Sequence, residues 1–160
     1  MVSVFLFICA LIAAISHLTY KKEWHYPKSI EVFLASILFF NVGLMGLLGA
    51  YAHVFLASET ARSIGWEPGS PFQFEIGMAN LSYGVLGVLS YWIRGRFWDA
   101  CIIGWSVLFF GCFIGHVINY YNYNNTAPYN IGPYIWFYDL FLPLLVISLF
   151  LTLRLSKKKV

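Results

Sequence analysis

Residues 32–56 read VFLASILFFNVGLMGLLGAYAHVFL, a run without Asp, Glu, Lys or Arg. A helix needs about 20 apolar residues to cross the hydrocarbon core of a bilayer, so this run is long enough to span a membrane. Other apolar runs of similar length lie on both sides of it. The predicted spans cover residues 2–18, 32–56, 71–93, 97–120 and 134–153. We therefore expect an all-α, polytopic integral membrane protein whose five transmembrane helices form one bundle domain over residues 1–160.

The composition argues against an ordinary soluble domain. Apolar residues make up 60% of the chain and charged residues 11%, whereas soluble domains carry about 25% charged residues. Mean hydropathy is +0.72. The net charge of +3 does not indicate a nucleic-acid partner, because the basic residues cluster at the ends of predicted helices, as cytoplasmic loops of membrane proteins do. The expected partner is the lipid bilayer.

The basic residues also predict the topology. All of the ten Lys and Arg residues except Arg62 fall in the first loop, the third loop or the C-terminal tail. By the positive-inside rule these segments are cytoplasmic, so the N-terminus is external and the C-terminus cytoplasmic in a bacterial inner membrane. We interpret residues 2–18 as a retained span, because the Lys21–Lys22 pair follows the apolar run, whereas a signal peptide has its charges before it.

Two local patterns predict how the helices begin and pack. A capping box is predicted at Ser70, Pro71 and Gln73, in which Ser70 caps the third span and the Gln73 side chain bonds back to it.

Glycines recur within the spans, and small residues let membrane helices approach closely. We expect these glycines to pack within the chain, and a homo-oligomer is the alternative. They are Gly43, Gly46, Gly49, Gly77, Gly84, Gly87, Gly104, Gly111 and Gly115.

Polar side chains inside the apolar runs are the best candidates for a functional site, because such groups are costly in lipid unless they are paired or hydrated. On the expected topology most of them lie in the external half of the bilayer. The candidate ligand-binding residues are His53, Glu75, Asn80, His116, Asn119 and Asp139, with Gln73 and Tyr138 nearby. Asn41 stands alone in the middle of its span, and we expect it to bond another helix.

His53 and His116 lie at similar depth on two helices that run in the same direction, which permits three interpretations. They can form a hydrogen-bonded structural pair. They can bind a metal ion together with Glu75 or Asp139, because imidazole and carboxylate are common ligands. They can also ligate haem from both sides.

Asp139 precedes Pro143 by four residues, and proline has no N–H to offer the Asp139 carbonyl. We expect a kink there, with a free carbonyl beside an acidic side chain. Broken helices at membrane depth usually line a cavity, which favours a functional site. The alternative is a local kink in which Asp139 bonds a neighbouring Tyr or Asn.

The segment IGWEPGSPFQFEIGMANLSYGVLG at residues 64–87, with GHVIN at residues 115–119, resembles a family of small bacterial and archaeal membrane proteins without an assigned function. The most specific piece is GSPFQFE at residues 69–75. The four-span architecture of DoxX-type proteins is also similar. Neither resemblance implies a known chemistry.

The function expected from these residues is the binding or passage of a small ligand or ion near the external face. One alternative is a membrane oxidoreductase that holds a metal or haem at His53 and His116. Another is an accessory subunit of a larger membrane complex. Transport by so short a chain would need oligomerisation, because it holds no pair of large inverted repeats.

Overall fold

The computed structural model describes residues 2–157, and every regular element in this range is helical, which confirms the all-α class. Lys158 and Lys159, counted above in the basic tail, lie outside it. The helices are, in chain order, α1 Val2–Lys21, α2 Lys28–Phe55, α3 Ala57–Ile64, α4 Phe72–Leu89, α5 Arg96–Tyr123, α6 Pro128–Ile131 and α7 over residues 133–157.

Within residues 2–157, four helical stretches are long and apolar enough to cross a membrane: α1, α2, α5 and Pro128–Ser156, which contains α6 and most of α7. They coincide with four of the predicted spans. The remaining predicted span, residues 71–93, forms α4, a helix of 18 residues. Gln73, Glu75 and Asn80 lower the hydropathy of α4, so apolarity alone does not identify it as a membrane span.

Helices α2 and α4 pack closely because glycines face each other. A Cβ atom built on Gly46 would lie 2.8 Å from the Gly84 Cα, and one built on Gly84 would lie 2.8 Å from the Leu47 nitrogen. Only glycine permits so close an approach of two backbones. The predicted packing role is confirmed for these glycines.

The glycines of α5 differ from those of α2 and α4. No described atom lies within 4 Å of a Cβ built on Gly111 or Gly115. The prediction that this pair packs against another helix of the chain is therefore wrong, and the space beside it is open.

Two π-helical segments meet in the buried core. Helix α2 widens over Leu38–Leu44, and α7 widens over Trp136–Phe141. The Tyr138 hydroxyl donates to the Asn41 carbonyl at 2.9 Å, and Asn41 Nδ2 donates to the Ser3 carbonyl at 3.0 Å. Asn41 thus bonds another helix, α1, as predicted.

Ion pairs gather at one end of the molecule, which we call the charged end and which holds segments 22–27 and 90–95. Arg94 pairs there with Glu31, and Arg154 pairs with Asp99. The opposite end, called the loop end, holds segments 56–71 and 124–132. The predicted site residues lie toward the loop end.

Candidate functional site

A cavity of about 940 Å³ extends from the loop end into the bundle, with walls supplied mainly by α2, α3, α4, α5 and α7. Most of the wall is apolar. Along α5 the cavity is kept open at Gly111 and Gly115, where a longer side chain would enter it. The packing of the helices therefore leaves room for a ligand beside several of the polar side chains singled out from the sequence.

Five of the candidate residues line this cavity: His53, Asn80, His116, Asn119 and Asp139. The sixth, Glu75, is exposed on α4 and is not part of the cavity wall. Gln73 is buried on the same helix. Because a helix turns about 100° per residue, a side chain two positions later lies on nearly the opposite face. The burial of Gln73 thus turns Glu75 away from the cavity.

His53 is bonded to the start of α4. Its Nδ1 lies 2.7 Å from Gln73 Oε1. The predicted bond from Gln73 back to Ser70 is therefore wrong, because the buried amide finds its partner on the neighbouring helix. The other half of the predicted box is also wrong: the Gln73 N–H bonds the Ser70 carbonyl, Ser70 Oγ accepts the Phe72 N–H at 3.2 Å, and Pro71 occupies the N-cap position.

His116 is held by Asn130. The ring Nδ1 lies 2.9 Å from Asn130 Oδ1, while Asn130 Nδ2 donates to the carbonyls of His116 at 3.3 Å and Asn125 at 2.9 Å. Because both N–H bonds of the amide are used, its oxygen faces the ring and Nδ1 must carry the hydrogen. The neutral ring then has its lone pair on Nε2, which bonds no residue that the structure describes.

The end of α3 places Trp66 over the His116 ring. The ring centroids are 5.6 Å apart and the planes differ by 14°. Gly65, with φ +79°, closes α3: its N–H bonds the Arg62 carbonyl at 3.0 Å, and the Trp66 N–H bonds the Ala61 carbonyl at 2.9 Å. This is a Schellman motif, which requires the left-handed conformation that glycine adopts readily. The turn fixes one wall of the site.

The two other amides that line the cavity also hold local structure. Asn119 Oδ1 accepts from Asn125 Nδ2 at 2.7 Å, and the same Nδ2 lies 2.9 Å from the Ile64 carbonyl. Asn80 Nδ2 donates to the Ile76 carbonyl at 2.9 Å, one turn earlier in α4. Asn119 thus helps to join α5 to the end of α3.

Asp139 differs from the other polar residues of the wall. It is 3% exposed and lines the cavity, yet its carboxyl group has no hydrogen bond or ion pair with any residue that the structure describes. The predicted alternative of a bond to a neighbouring Tyr or Asn is therefore wrong, since Tyr138 bonds the Asn41 carbonyl instead.

The helix around Asp139 is π-helical. The Leu142 N–H reaches back five residues to the Phe137 carbonyl. The kink and the free Asp139 carbonyl expected before Pro143 stay predictions, and the structure shows a π-helical segment at this position. Such segments are frequent at functional sites.

Sequence reasoning missed four cavity or support residues: Glu59, Trp66, Asn130 and Tyr134. Asn130 lies in an uncharged segment, YYNYNNTAPYNIGPY at residues 120–134, that holds several similar amides. No periodicity in that segment distinguishes the amide that reaches His116 from those that face outward. The signal for Glu59 was its place in a short amphipathic stretch after the second span.

The two histidines are not bonded to each other, so the interpretation as a hydrogen-bonded pair is wrong. Within residues 2–157, no group of three or more His, Cys, Asp or Glu side chains is arranged to hold a metal ion. His53 and His116 remain two imidazoles on one cavity wall, each oriented by an amide.

Comparison with known proteins gives one match. No curated protein and no solved structure matches the chain. The bacterial or archaeal source and the likeness to DoxX-type proteins therefore remain expectations from the sequence. A family model covers nearly the full length and confirms the predicted membership of a family without an assigned function. The chain belongs to DUF6790, a family of unknown function, whose model matches residues 1–159.

Proposed function

We propose that this protein is a multi-pass membrane protein that binds or passes a small, largely apolar ligand in the cavity at its loop end. The observation that carries the proposal is that polar residues from four helices share one open space: His53, Asn80, His116, Asn119 and Asp139. Polar groups are costly within a membrane. Their position around a common cavity therefore favours a binding site over scattered structural bonds.

The dimensions and chemistry of the cavity support this function. Binding pockets for small molecules commonly have volumes of about 300–1,000 Å³, apolar walls and a few oriented polar groups. The volume here, about 940 Å³, lies in that range. The lone pair of His116 and the carboxyl group of Asp139 are not used by the fold, so both are available to a ligand.

The proposal includes five membrane spans, with α4 as the third. Helix α4 has 18 residues, which at about 1.5 Å per residue nearly matches the thickness of the hydrocarbon core. The polar residues of α4 lower its hydropathy, and its close glycine contact with α2 stabilises it within the bundle instead. With the N-terminus external and the C-terminus cytoplasmic, the cavity opens toward the external half of a bacterial inner membrane.

Native mass spectrometry of the protein, purified from its membrane in mild detergent, tests the proposal. We expect a bound small molecule on the wild type. Gly111→Phe places an aromatic ring in the open part of the cavity without a contact at its Cβ, so this variant should lose the bound molecule.

Ile118→Phe is the matched control, because Ile118 is exposed on the same helix and does not line the cavity. It should retain the ligand. Equal ligand content in the two variants, or a bare wild-type protein, would contradict the proposed function.

A metal or haem site is the second candidate function, and the orientation of the histidines favours it. An amide oxygen on Nδ1 directs Nε2 outward, which is a common arrangement behind metal-bound imidazoles. Metal analysis and an absorption spectrum of the purified protein test this candidate. Absence of both metal and a haem band from protein isolated from its own membrane would exclude it.

A further inference from the structure

We propose that the ligand is a hydrophobic organic cation whose charged group pairs with the Asp139 carboxylate. This inference rests on the proposed ligand-binding function and adds the chemical class of the ligand. Three properties of the cavity carry it: the charge of its wall, the isolation of Asp139 and the aromatic rings around the open space.

The charged residues of the cavity wall are all acidic. They are Glu59 and Asp139, and none of the described residues that line the cavity is Lys or Arg. The chain as a whole has an excess of basic residues, with a net charge of +3. The wall thus carries carboxyl groups and the imidazoles of His53 and His116 but no Lys or Arg, unlike the protein as a whole. An anionic ligand would meet two carboxyl groups without a Lys or Arg to compensate them, so the wall disfavours anions.

Asp139 has no partner of its own. Its side chain is buried, lines the cavity and bonds no residue that the structure describes. A carboxylate in an apolar environment is strongly unfavourable unless an opposite charge or several donors accompany it. The folded chain supplies neither, so the carboxyl group has no partner, and a cation bound in the cavity would favour its ionised form.

Aromatic rings in the cavity wall suit an organic cation. Phe109, Tyr134 and Tyr138 line it, and they form a connected group in which Tyr134 stacks on Tyr138 at 5.4 Å between centroids. Phe109 meets Tyr138 edge to face at 4.9 Å. The faces of such rings attract cations, and aromatic cages bind ammonium groups in this way. The apolar remainder of the wall suits a hydrophobic body.

The surroundings of Asp139 do not suit a hard metal cation. Hard cations such as Ca²⁺ take six to eight oxygen ligands. Around Asp139 the hydroxyl of Tyr138 is already bonded to the Asn41 carbonyl. Among the described residues, Asp139 belongs to no group of three or more His, Cys, Asp or Glu side chains that could hold a metal ion. An organic cation needs one counter-charge and apolar contact, and both are present.

Tetraphenylphosphonium and tetraphenylborate provide a matched pair of probes, because they have nearly the same shape and opposite charge. We would measure the binding of each by equilibrium dialysis against the full chain in lipid nanodiscs and subtract the binding to empty nanodiscs. The wild type should bind tetraphenylphosphonium at least about tenfold more tightly than tetraphenylborate.

Asp139→Asn keeps the shape of the side chain and removes its charge. It should weaken tetraphenylphosphonium binding by about tenfold or more and leave the weak binding of tetraphenylborate unchanged. Glu67→Gln, a carboxyl-to-amide change at an exposed loop position outside the cavity wall, should bind as the wild type does.

If Asp139→Asn does not fold, two other variants replace it: Asp139→Glu, which keeps the charge, and Gly111→Phe, which fills the cavity. The first should retain cation binding and the second should lose it.

Equal binding of the two probes, or no binding of the cation by the wild type, would overturn the inference. If native mass spectrometry then still finds a neutral or anionic molecule that Gly111→Phe expels, the proposed function stands and only the ligand class is wrong. If Gly111→Phe changes nothing in either experiment, both proposals fail.

Discussion

At the scale of single residues, the polar side chains divide into those that bond other parts of the fold and those that the fold leaves without a partner. The positions of His53 and His116 toward the loop end of their helices could be predicted from the sequence, because they follow from the places of both residues in the apolar runs. Their partners could not. Gln73 fits a local cap at the start of its helix, and the bond to His53 at 2.7 Å depends on how α2 lies against α4.

Asn130 tests the importance of these amides for stability. It is fully buried and bonds the His116 ring and two carbonyls. Asn130→Ala leaves those groups without partners, and each unsatisfied buried group costs about 1–3 kcal/mol. We expect the free energy of unfolding to fall by about 3 kcal/mol, measured by denaturation in detergent. Asn122→Ala is the control, because Asn122 is exposed and should have almost no effect. Similar losses in both variants would mean that the buried amide does not hold His116.

At the scale of helices, similar glycine patterns have different roles. Gly46 and Gly115 both belong to small-residue patterns within apolar runs. Gly46 touches the backbone of α4, whereas the space beside Gly115 is open. A pattern predicts that a close approach is possible, and the tertiary structure decides whether a neighbouring helix is there. For this reason the sequence could predict that the glycines of α2 and α4 pack within the chain, but neither which helices they join nor the cavity beside α5.

A pair of alanine substitutions separates the two roles. The Cβ of Gly46→Ala would lie 2.8 Å from the Gly84 Cα, so α2 and α4 must move apart. Overpacking of this kind typically costs about 1–3 kcal/mol. Gly115→Ala meets nothing and removes a flexible residue from a helix, so its effect should be neutral or stabilising by less than about 1 kcal/mol. Thermal denaturation of the two purified variants measures the difference. A larger loss for Gly115→Ala would show that α5 packs against another molecule.

The π-helical segments show the same limit of sequence reasoning. Pro143 predicts a disturbance of α7 because proline lacks an N–H. No proline lies within Leu38–Leu44, yet α2 is also widened there. The Tyr138 hydroxyl bonds the Asn41 carbonyl and so connects the two segments at 2.9 Å. Pro143 thus gave a reason to expect irregular structure in α7, whereas the widened segment of α2 accompanies a contact between helices.

At the scale of the whole molecule, charge and hydropathy account for most of what the sequence could predict. The apolar runs correspond to helices because a bilayer offers the backbone no other partners. The pairs of Arg94 with Glu31 and of Arg154 with Asp99 connect chain segments at the charged end. Helix α4 is the least apolar of the five predicted spans. Its polar residues lie on the cavity side of the bundle or, as with Glu75, on its exposed face. Whether α4 crosses the bilayer decides the topology.

Single cysteines read by an impermeant thiol reagent test that topology. In a background without Cys9, Cys101 and Cys112, intact cells should label Glu67→Cys and Asn122→Cys, and should label His25→Cys and Ile93→Cys only after permeabilisation. All four positions are exposed, and none of the substitutions removes a Lys or Arg. The decisive position is Ile93, which lies in the segment between α4 and α5. If α4 does not cross, Ile93→Cys lies on the same side as Glu67→Cys and is labelled in intact cells, while Asn122→Cys is protected, since α5 then runs the opposite way. That pattern would reduce the protein to four spans and place its C-terminus outside the cell, against the positive-inside rule for a basic tail.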